Sequence, residues 1–337
     1  MTKKELAIHY REKHGLEMPT KSLARKMAAE HPEIFPDIEN ARTALRTIEG
    51  KMGKDKIKER VFEKPNRPWA YQQQIDTPAK ILILDIETAP ILAYVWGIWN
   101  QNVATNQIAS DWFCLTWAAK WLFQDKVYSA KLTKREVLEK DDSRIIRGIW
   151  EMVNEADIVI AHNAEKFDMP KLNSRFIANG LQPPLPYITI DTLKHIRRHF
   201  GFVSNKLDYV NQILNLPRKQ ENSGMTLWIK CYNGDTEALK EMETYNVQDV
   251  RILEETYLAI RPWIKPHPNI GLHILDGKTS HCPTCGSDNL QDQGKFYHTS
   301  VNRYELFRCG NCGASARKRV AKDHINLRRH LITGAGK

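Results

Sequence analysis

Apolar runs divide the middle of the chain into strands and helices. Five runs have the length and the β-branched or aromatic residues that are typical of strands. They are "KILILDIE", "DWFCLTWAAKWLF", "KVYSA", "DIVIAHN" and "YITIDT". The i, i+3, i+4 spacing of helices is found in "SRIIRGIWEMVNEA", "DMPKLNSRFIANG" and "TEALKEMETYNVQDVRILEETYLAI". Strands first, then alternating strands and helices, predict an α/β domain in which helices flank a mixed sheet.

The beginning of the chain has a purely helical pattern. One helix is predicted to end at Gly15, a second to start at a Thr20 cap, and a third to run from about Asp37 to Gly50. Three short amphipathic helices in residues 1–60 predict a helix-turn-helix-like module. Its third helix would present Arg42, Thr43, Arg46 and Thr47 to DNA. A small bundle that docks a protein, or that packs on the rest of the chain, fits the same pattern.

Proline-bearing stretches set the predicted domain boundaries. We interpret residues 61–79 and 263–279 as linkers, because both contain several prolines and little helical or strand pattern. They enclose a central domain at 80–262 and leave a C-terminal domain at 280–337.

Composition and charge narrow the class of protein. A length of 337 residues with 42% hydrophobic residues is typical of a soluble globular protein of two or three domains. No apolar run approaches the roughly 20 residues of a membrane span, and no signal-peptide pattern is present, so we expect a cytoplasmic protein without a membrane partner.

The formal net charge of +10 is concentrated at the two ends of the sequence. Residues 1–60 hold 14 Lys and Arg against 10 Asp and Glu, and residues 278–337 hold 11 against 4. This distribution favours terminal modules that meet a polyanion such as nucleic acid, although a merely solvated surface has the same charge pattern.

Acidic residues stand where the apolar runs of the central domain end. Asp85 and Glu87 are two residues apart on one strand, so their side chains leave the same face about 7 Å apart. Asp168 closes "HNAEKFD" after a second strand, and "YNVQD" places Tyr245 and Asp249 on one face of the long helix. If these groups share one cleft, like-charge repulsion requires cations. Oxygen ligands favour two Mg²⁺ or Mn²⁺ ions, an arrangement that cleaves phosphodiesters, and Tyr245 would position the attacking water.

The three stretches "DIET", "HNAEKFDMPKL" and "YNVQDV" resemble, in order and spacing, the exonuclease motifs of the DEDDy 3′-5′ exonucleases. These enzymes have the ribonuclease H-like fold of the proofreading domain of family B DNA polymerases. The resemblance covers roughly residues 80–260. It implies that Asp85 bridges two metal ions, that Glu87 and Asp249 complete the first site, and that Asp168 serves the second.

The same resemblance suggests residues that contact the single strand. Asn163 occupies a motif position that contacts the 3′ end in the family, and Phe167 would pack so as to aim Asp168. "KLDYVNQIL" is similar to a helix start that contacts single strands in proofreading domains, which assigns this role to Lys206 and Leu207. The family commonly has Ser or Thr where this chain has Lys206, and a solvated lysine explains that position equally well. Asp191 is interpreted as a helix N-cap.

Four cysteines form a separate pattern near the end of the chain. "HCPTCGSDN" and "FRCGNCGAS" are two CxxCG knuckles, which resemble a zinc ribbon. Its structural Zn²⁺ would be bound by four thiolates, leaving no open position. The ligands are Cys282, Cys285, Cys309 and Cys312. The ribbon would bind nucleic acid or protein.

These patterns together predict a 3′-5′ exonuclease that hydrolyses single-stranded DNA 3′ ends and releases nucleoside 5′-monophosphates, serving a replication protein in trans. RNA or structured DNA is the alternative substrate, and a nucleic-acid-binding regulator with a silent nuclease domain is the alternative function. A bacterial or phage-infected cell suits such a protein. We expect most aromatic residues between 94 and 123 to pack in the core, in preference to stacking on bases.

Overall fold

The computed structural model describes residues 2–14, 18, 20–59, 78–218, 223–274, 277, 279–322 and 331–332. The chain divides into two compact units, Met1–Pro65 and Asn66–Lys337. The predicted linker 61–79 lies outside the described residues except for Pro78 and Ala79. No helix within these described ranges is both long enough and apolar enough to cross a membrane.

The first unit consists of helices α1 (Lys3–His14), α2 (Thr20–Glu30) and α3 (Ile38–Glu59). They bury one common apolar cluster that includes Leu23 and Leu45. The predicted end of the third helix at Gly50 is wrong, because the Lys-rich residues that follow are good helix formers and continue it to Glu59.

The proposed DNA-facing positions of α3 carry less free charge than the sequence suggests. Thr43, Arg46 and Thr47 are exposed, as a contact surface requires. The guanidinium groups of Arg42 and Arg46, however, lie 3.3 and 3.7 Å from the carboxylate of Glu39. DNA contact by this helix stays a prediction.

The second unit contains the predicted alternation of strands and helices. Its strands are β1 (Ile81–Thr88), β2 (Leu92–Ala93), β3 (Ile108–Ser110), β4 (Cys114–Trp121), β5 (Tyr128–Lys131), β6 (Ile158–Ala161), β7 (Ile188–Asp191), β8 (Leu290–His298), β9 (Arg303–Cys309) and β10 (Ser315–Arg317). Its helices are α4 (Lys134–Glu139), α5 (Ser143–Glu155), α6 (Asp168–Ala178), α7 (Thr192–His199), α8 (Leu207–Leu214), α9 (Met225–Tyr232) and α10 (Thr236–Ile260).

The main sheet is mixed, as predicted, with strand order β5-β4-β1-β6-β7 in the part of the chain that the structure describes. β1 runs antiparallel to β4 and parallel to β6. Alternate residues of β1 enter two different cores: Leu82 and Leu84 face the layer of α5 and α6, and Ile81 and Ile83 face α7 and α8. A strand buried on both faces has to be continuously apolar, which explains the run "ILIL".

The long helix α10 packs against both cores. Its first half, including Met242, joins the layer of α5 and α6, and its second half, including Tyr257, joins the layer of α7 and α8. A buried ion pair between Lys120 of β4 and Glu254 of α10 fixes the helix to the sheet. The other carboxylate oxygen of Glu254 accepts the Phe123 N–H at 2.7 Å. Because α10 is held along its length, the groups on its middle turns have defined positions.

Strands β8, β9 and β10 form a small antiparallel sheet next to the cysteine knuckles. The described part of segment 263–279 is attached to the α/β layers, since Ile264 and Ile270 are buried in the core beside α10. The N–H of Ile270 donates to the carbonyl of Pro283 at 2.8 Å, which ties this segment to the first knuckle.

Core packing, which was predicted for most aromatic residues between 94 and 123, is found for some of them. Trp117 is buried, and Trp112 and Trp121 are half-buried. Core packing is wrong for Tyr94, Trp96 and Trp99, which are 76%, 99% and 80% exposed. These three rings lie between the short strands β2 and β3, where the chain leaves the main sheet.

Candidate active site

The end of β1 provides the first two acids of the site. β1 pairs with β6 from Ile81 to Ile83, whereas its pairing with β4 continues to Thr88. The last residues of β1 therefore extend past the paired part of β6. Asp85 and Glu87 lie in this extension, and both are half-buried. The buried run thus anchors two carboxylates at an accessible edge.

The third acid comes from the middle of α10. Asp249 is 2% exposed on the face of α10 that packs against the sheet. Carboxylate oxygens of Asp85, Glu87 and Asp249 all lie within 4.8 Å of one another. Three like charges at this separation repel strongly in a protein interior, and a divalent cation removes the repulsion. The donor set of carboxylate oxygens fits Mg²⁺ or Mn²⁺.

A buried amide holds the first aspartate in place. Asn246, one turn before Asp249, is fully buried and donates from Nδ2 to Oδ2 of Asp85 at 2.5 Å. Sequence reasoning missed this residue although it lies inside "YNVQD". Its i, i+3 spacing from Asp249 was the available signal, since that spacing puts both side chains on one helix face.

Asp168 stands beside this group without belonging to it. It begins α6, is 1% exposed, and neither of its carboxylate oxygens makes a hydrogen bond of normal geometry to the described residues. Burial raises the pKa of Asp168 well above its usual range, and the charge of Asp85 raises it further. Nearby backbone N–H groups of Asp168 and Ile86 offset part of this rise. A buried carboxylate in this condition fits a second cation position.

Tyr245 lies on α10 one turn before Asp249 and lines an open groove of about 710 Å³. Its ring meets the ring of Trp228 edge-on, with the centroids 6.4 Å apart. Thr88, at the end of β1, lines the same groove, so the groove begins next to the carboxylates. Lys171 contributes a positive charge there, its Nζ lying 3.7 Å from the ring centroid of Trp112.

The turn after β6 positions the residues before Asp168. Asn163 has a left-handed backbone with φ of +81°, a conformation that asparagine tolerates better than most residues. Asp191 accepts the N–H groups of Asn163 and Glu165 at 3.1 and 3.2 Å. It also accepts the N–H of Lys194, so the predicted cap of α7 is confirmed. Asp191 thereby holds the turn and the helix together.

The other residues assigned to the single strand lie in different surroundings. Phe167 immediately precedes α6 and packs half-buried against the core, with Lys171 Nζ 5.2 Å from its ring centroid. Leu207 is 6% exposed and belongs to the core beside α7, which leaves little of it for a ligand. Lys206 is exposed at the start of α8.

The four cysteines of the knuckles converge, and their sulfur atoms lie within 4.8 Å of one another. Sγ of Cys282 is 3.7 Å from Sγ of Cys312, and Sγ of Cys285 is 3.6 Å from Sγ of Cys309. Sulfurs placed tetrahedrally at about 2.3 Å from Zn²⁺ are about 3.8 Å apart, so these separations fit zinc.

The cysteine cluster has glycines at its tight turns, and its cysteines are buried. Gly286 and Gly313 close the knuckles with φ of +82° and +78°, which other residues adopt at a cost. All four cysteines are buried, consistent with a zinc ribbon. The remaining cysteines, Cys114 and Cys231, are buried singly, and burial raises the pKa of both thiols. They are therefore poor nucleophiles and poor ligands.

A comparison with protein families agrees with the fold. Residues 121–260 match the RNase_H_2 family of the RNase_H superfamily, so this region is ribonuclease H-like. The matched range includes Asp168 and Asp249 but not Asp85 and Glu87. A search of curated proteins returned no significant match.

Among solved structures, the chain is similar to the family B DNA polymerase from the hyperthermophilic archaeon Pyrobaculum calidifontis. The two share 19% identity with a TM-score of 0.42, over 61% of this chain and 27% of the polymerase chain.

Proposed function

We propose that this protein is a metal-dependent nuclease, specifically a 3′-5′ exonuclease that hydrolyses single-stranded DNA ends and releases nucleoside 5′-monophosphates. The convergence of Asp85, Glu87 and Asp249 beside the buried carboxylate of Asp168 is the observation that carries the proposal. The polarity and the choice of DNA rest on the resemblance of the three acidic stretches to DEDDy exonucleases.

The carboxylates would share two divalent cations. Asp85, Glu87 and Asp249 would hold one ion, and Asp85 with Asp168 would hold the second. Bound there, the ions would supply activation of water and neutralisation of the charge that develops on the phosphate and the leaving oxygen. The chain contributes a fixed set of anionic oxygens, with Asn246 restricting the rotation of Asp85.

Tyr245 would position the attacking water. It lies one helical turn from Asp249 and lines the groove, with its ring in edge-on contact with Trp228. A phenol has a usual pKa near 10, so at neutral pH it is a hydrogen-bond partner for water, not a strong base. Its function would be orientation, with the proton passing to solvent.

A degradation time course tests this proposal. End-labelled oligonucleotides of one sequence would be prepared as DNA and RNA, single- and double-stranded, and blocked at either the 3′ or the 5′ terminus. We expect the wild-type protein to shorten single-stranded DNA from an open 3′ end and to be stopped by a 3′ block. EDTA should stop the reaction, and Mg²⁺ or Mn²⁺ should restore it.

Each contrary result changes a different part of the proposal. Faster hydrolysis of the RNA strand would replace the substrate and keep the chemistry. Activity that resists EDTA would contradict the metal-ion mechanism. Oligonucleotide binding without any cleavage, unchanged in an Asp85→Ala variant, would indicate a regulator with a silent nuclease domain.

A further inference from the structure

Between β1 and β4 the chain leaves the main sheet and makes an excursion that the proposed chemistry does not use. β2 and β3 pair antiparallel, Leu92 with Ser110 and Ala93 with Ile108, and enclose an irregular segment. We call residues 91–110 the aromatic hairpin. It follows directly on Glu87 and on the groove-lining residues Thr88 and Pro90.

The aromatic hairpin exposes an unusual amount of apolar surface. Tyr94, Trp96 and Trp99 are at least three-quarters exposed, and Ile98 is 84% exposed. Proteins seldom leave several large apolar side chains together in water unless a ligand or partner covers them. No charged residue occurs from Thr88 to Ser110, so no carboxylate in this segment would repel a phosphate backbone.

Hydrogen bonds fix the backbone of the hairpin although it has little core. The N–H of Tyr94 donates to the carbonyl of Gln107 at 2.9 Å, and Nε2 of Gln107 donates to the carbonyl of Tyr94 at 3.0 Å. Oε1 of Gln107 accepts the Ala104 N–H, and Nε2 of Gln101 donates to the carbonyl of Trp99 at 2.8 Å. The rings are thus presented on an ordered backbone, which lowers the entropic cost of binding.

Position along the chain connects the hairpin to the proposed active site. Trp96 is nine residues after Glu87, so an extended chain places it at most about 30 Å away. Thr88 and Ile91 line the groove that holds Tyr245 and the positive charge of Lys171. The first residue of the aromatic hairpin, Ile91, therefore forms part of the groove wall.

We propose that Tyr94, Trp96 and Trp99 stack on unpaired bases of the single strand whose 3′ end occupies the groove. This inference rests on the proposed nuclease function and adds a binding platform to it. Aromatic rings suit bases, because each stacked base contributes about 1–3 kcal/mol without regard to sequence. A surface built only for another protein would need no continuity with the acidic cluster.

The test measures affinity without turnover. In an Asp85→Asn background, fluorescence anisotropy would follow binding of a labelled single-stranded DNA oligonucleotide to the full chain. We expect Trp96→Ala combined with Trp99→Ala to weaken binding at least about tenfold, since two stacking contacts are lost. The Phe pair at the same positions should stay within about threefold of the parent, because it keeps the rings.

Two matched controls isolate stacking. Ile98→Ala removes exposed apolar area from the same hairpin without removing a ring, and should weaken binding much less than the Ala pair does. An oligonucleotide with abasic sites has the phosphates but lacks the bases. It should bind the parent more weakly than the normal strand does, and the preference for the normal strand should be much smaller in the Ala pair, which keeps only Tyr94.

Distinct results would overturn this inference or the proposed function. If the Ala pair binds as tightly as the parent while the wild-type chain hydrolyses DNA, the platform is refuted and the nuclease function stands. If sedimentation shows that the Ala pair only abolishes self-association, the hairpin is an interface between copies, which also refutes the platform. Absence of hydrolysis by the wild type would refute the nuclease proposal itself.

Discussion

The acidic cluster and the cysteine cluster are both groups that could hold metal, but they are built in opposite ways. Asp85 and Glu87 lie on β1 and Asp249 lies on α10, more than 160 residues later in the sequence, and the two acids of β1 are half-buried beside an open groove. The four cysteines come from two adjacent knuckles, and all are buried. The open oxygen cluster has the construction that a catalytic metal site requires, and the closed sulfur cluster has the construction of a structural one.

The largest expected effect is the loss of zinc and of local folding in the cysteine cluster. Replacing Cys309 by Ser removes one of four thiolates, and structural zinc contributes about 10–16 kcal/mol of folding free energy in small zinc domains. We expect the variant to lose its zinc and the order of β8–β10, as measured by metal analysis and limited proteolysis. Hydrolysis of a short oligonucleotide by residues 80–260 should fall by less than about tenfold, or about 1.4 kcal/mol.

Cys231→Ser is the control, because Cys231 is a buried thiol outside the cluster. It should retain zinc and an intact ribbon. Unfolding of the whole second unit in the Cys309→Ser variant would contradict the separation of roles, and would mean that the ribbon is part of the catalytic core.

In the acidic cluster, Asp85→Asn should lower the hydrolysis rate and leave the fold unchanged. Loss of one charged oxygen from the shared position should reduce the hydrolysis rate at least about 10³-fold, or about 4 kcal/mol. Circular dichroism and melting should show an intact fold. Asp125→Asn, at an exposed acid, is the matched control and should keep wild-type activity. A comparable loss in both variants would show that the assay does not report on the cluster.

A smaller effect is expected for Tyr245→Phe, which keeps the ring against Trp228 and removes only the hydroxyl. If the phenol orients water, kcat should fall by about 10- to 100-fold, or about 1.4–2.7 kcal/mol, with KM nearly unchanged. Tyr128→Phe on β5 serves as the control. A rise in KM at constant kcat would instead assign Tyr245 to substrate binding.

The smallest effect concerns stability without metal. The pKa of Asp168 is higher in the folded protein than in the unfolded chain. The stability that this carboxyl group contributes to the folded protein is therefore fully present below its unfolded-state pKa of about 3.9, and is lost as the pH rises through its folded-state pKa. At pH 7, Asp168→Asn should therefore raise the Tm of the protein stripped of Mg²⁺ and Mn²⁺, by about 2–4 °C per kcal/mol recovered. Added Mg²⁺ should stabilise the wild type more than the variant.

The opposite outcome is equally clear. If Asp168→Asn melts at a lower temperature than the wild type at pH 7 and at a similar one at pH 4, the carboxylate has a stabilising partner in its charged form. Asp168 would then be a structural residue.

Elements with many turns or a wholly apolar run were predictable from the sequence. α10 has 25 residues, and its periodicity identifies it unambiguously. Helices α4, α7 and α9, of six to eight residues, contain too few turns for periodicity to mark them. At α4 the local signal existed, because Thr133 and Glu136 form a capping box.

Tertiary placement was the part that local patterns could not supply. The types of the acidic residues indicated a metal site, and the resemblance to exonucleases supplied their convergence. The hydrogen bond from Asn246 to Asp85 joins residues 161 apart, which no local pattern reveals. Trp96 is exposed and Trp117 is buried. Which of two tryptophans is covered depends on the elements that pack against it in the fold, and this cannot be predicted from composition.

Helix α10 has a consequence for how this sequence can change over time. It carries Asn246 and Asp249 at its middle and is fixed to the sheet by Glu254 further along. Inserting or deleting one residue between Asp249 and Glu254 would rotate Asn246 and Asp249 by about 100° relative to that anchor. Lineages descended from this chain should therefore accept substitutions at other positions of α10 but no length changes within it, whereas length changes in residues 95–103 of the aromatic hairpin would not move an acid.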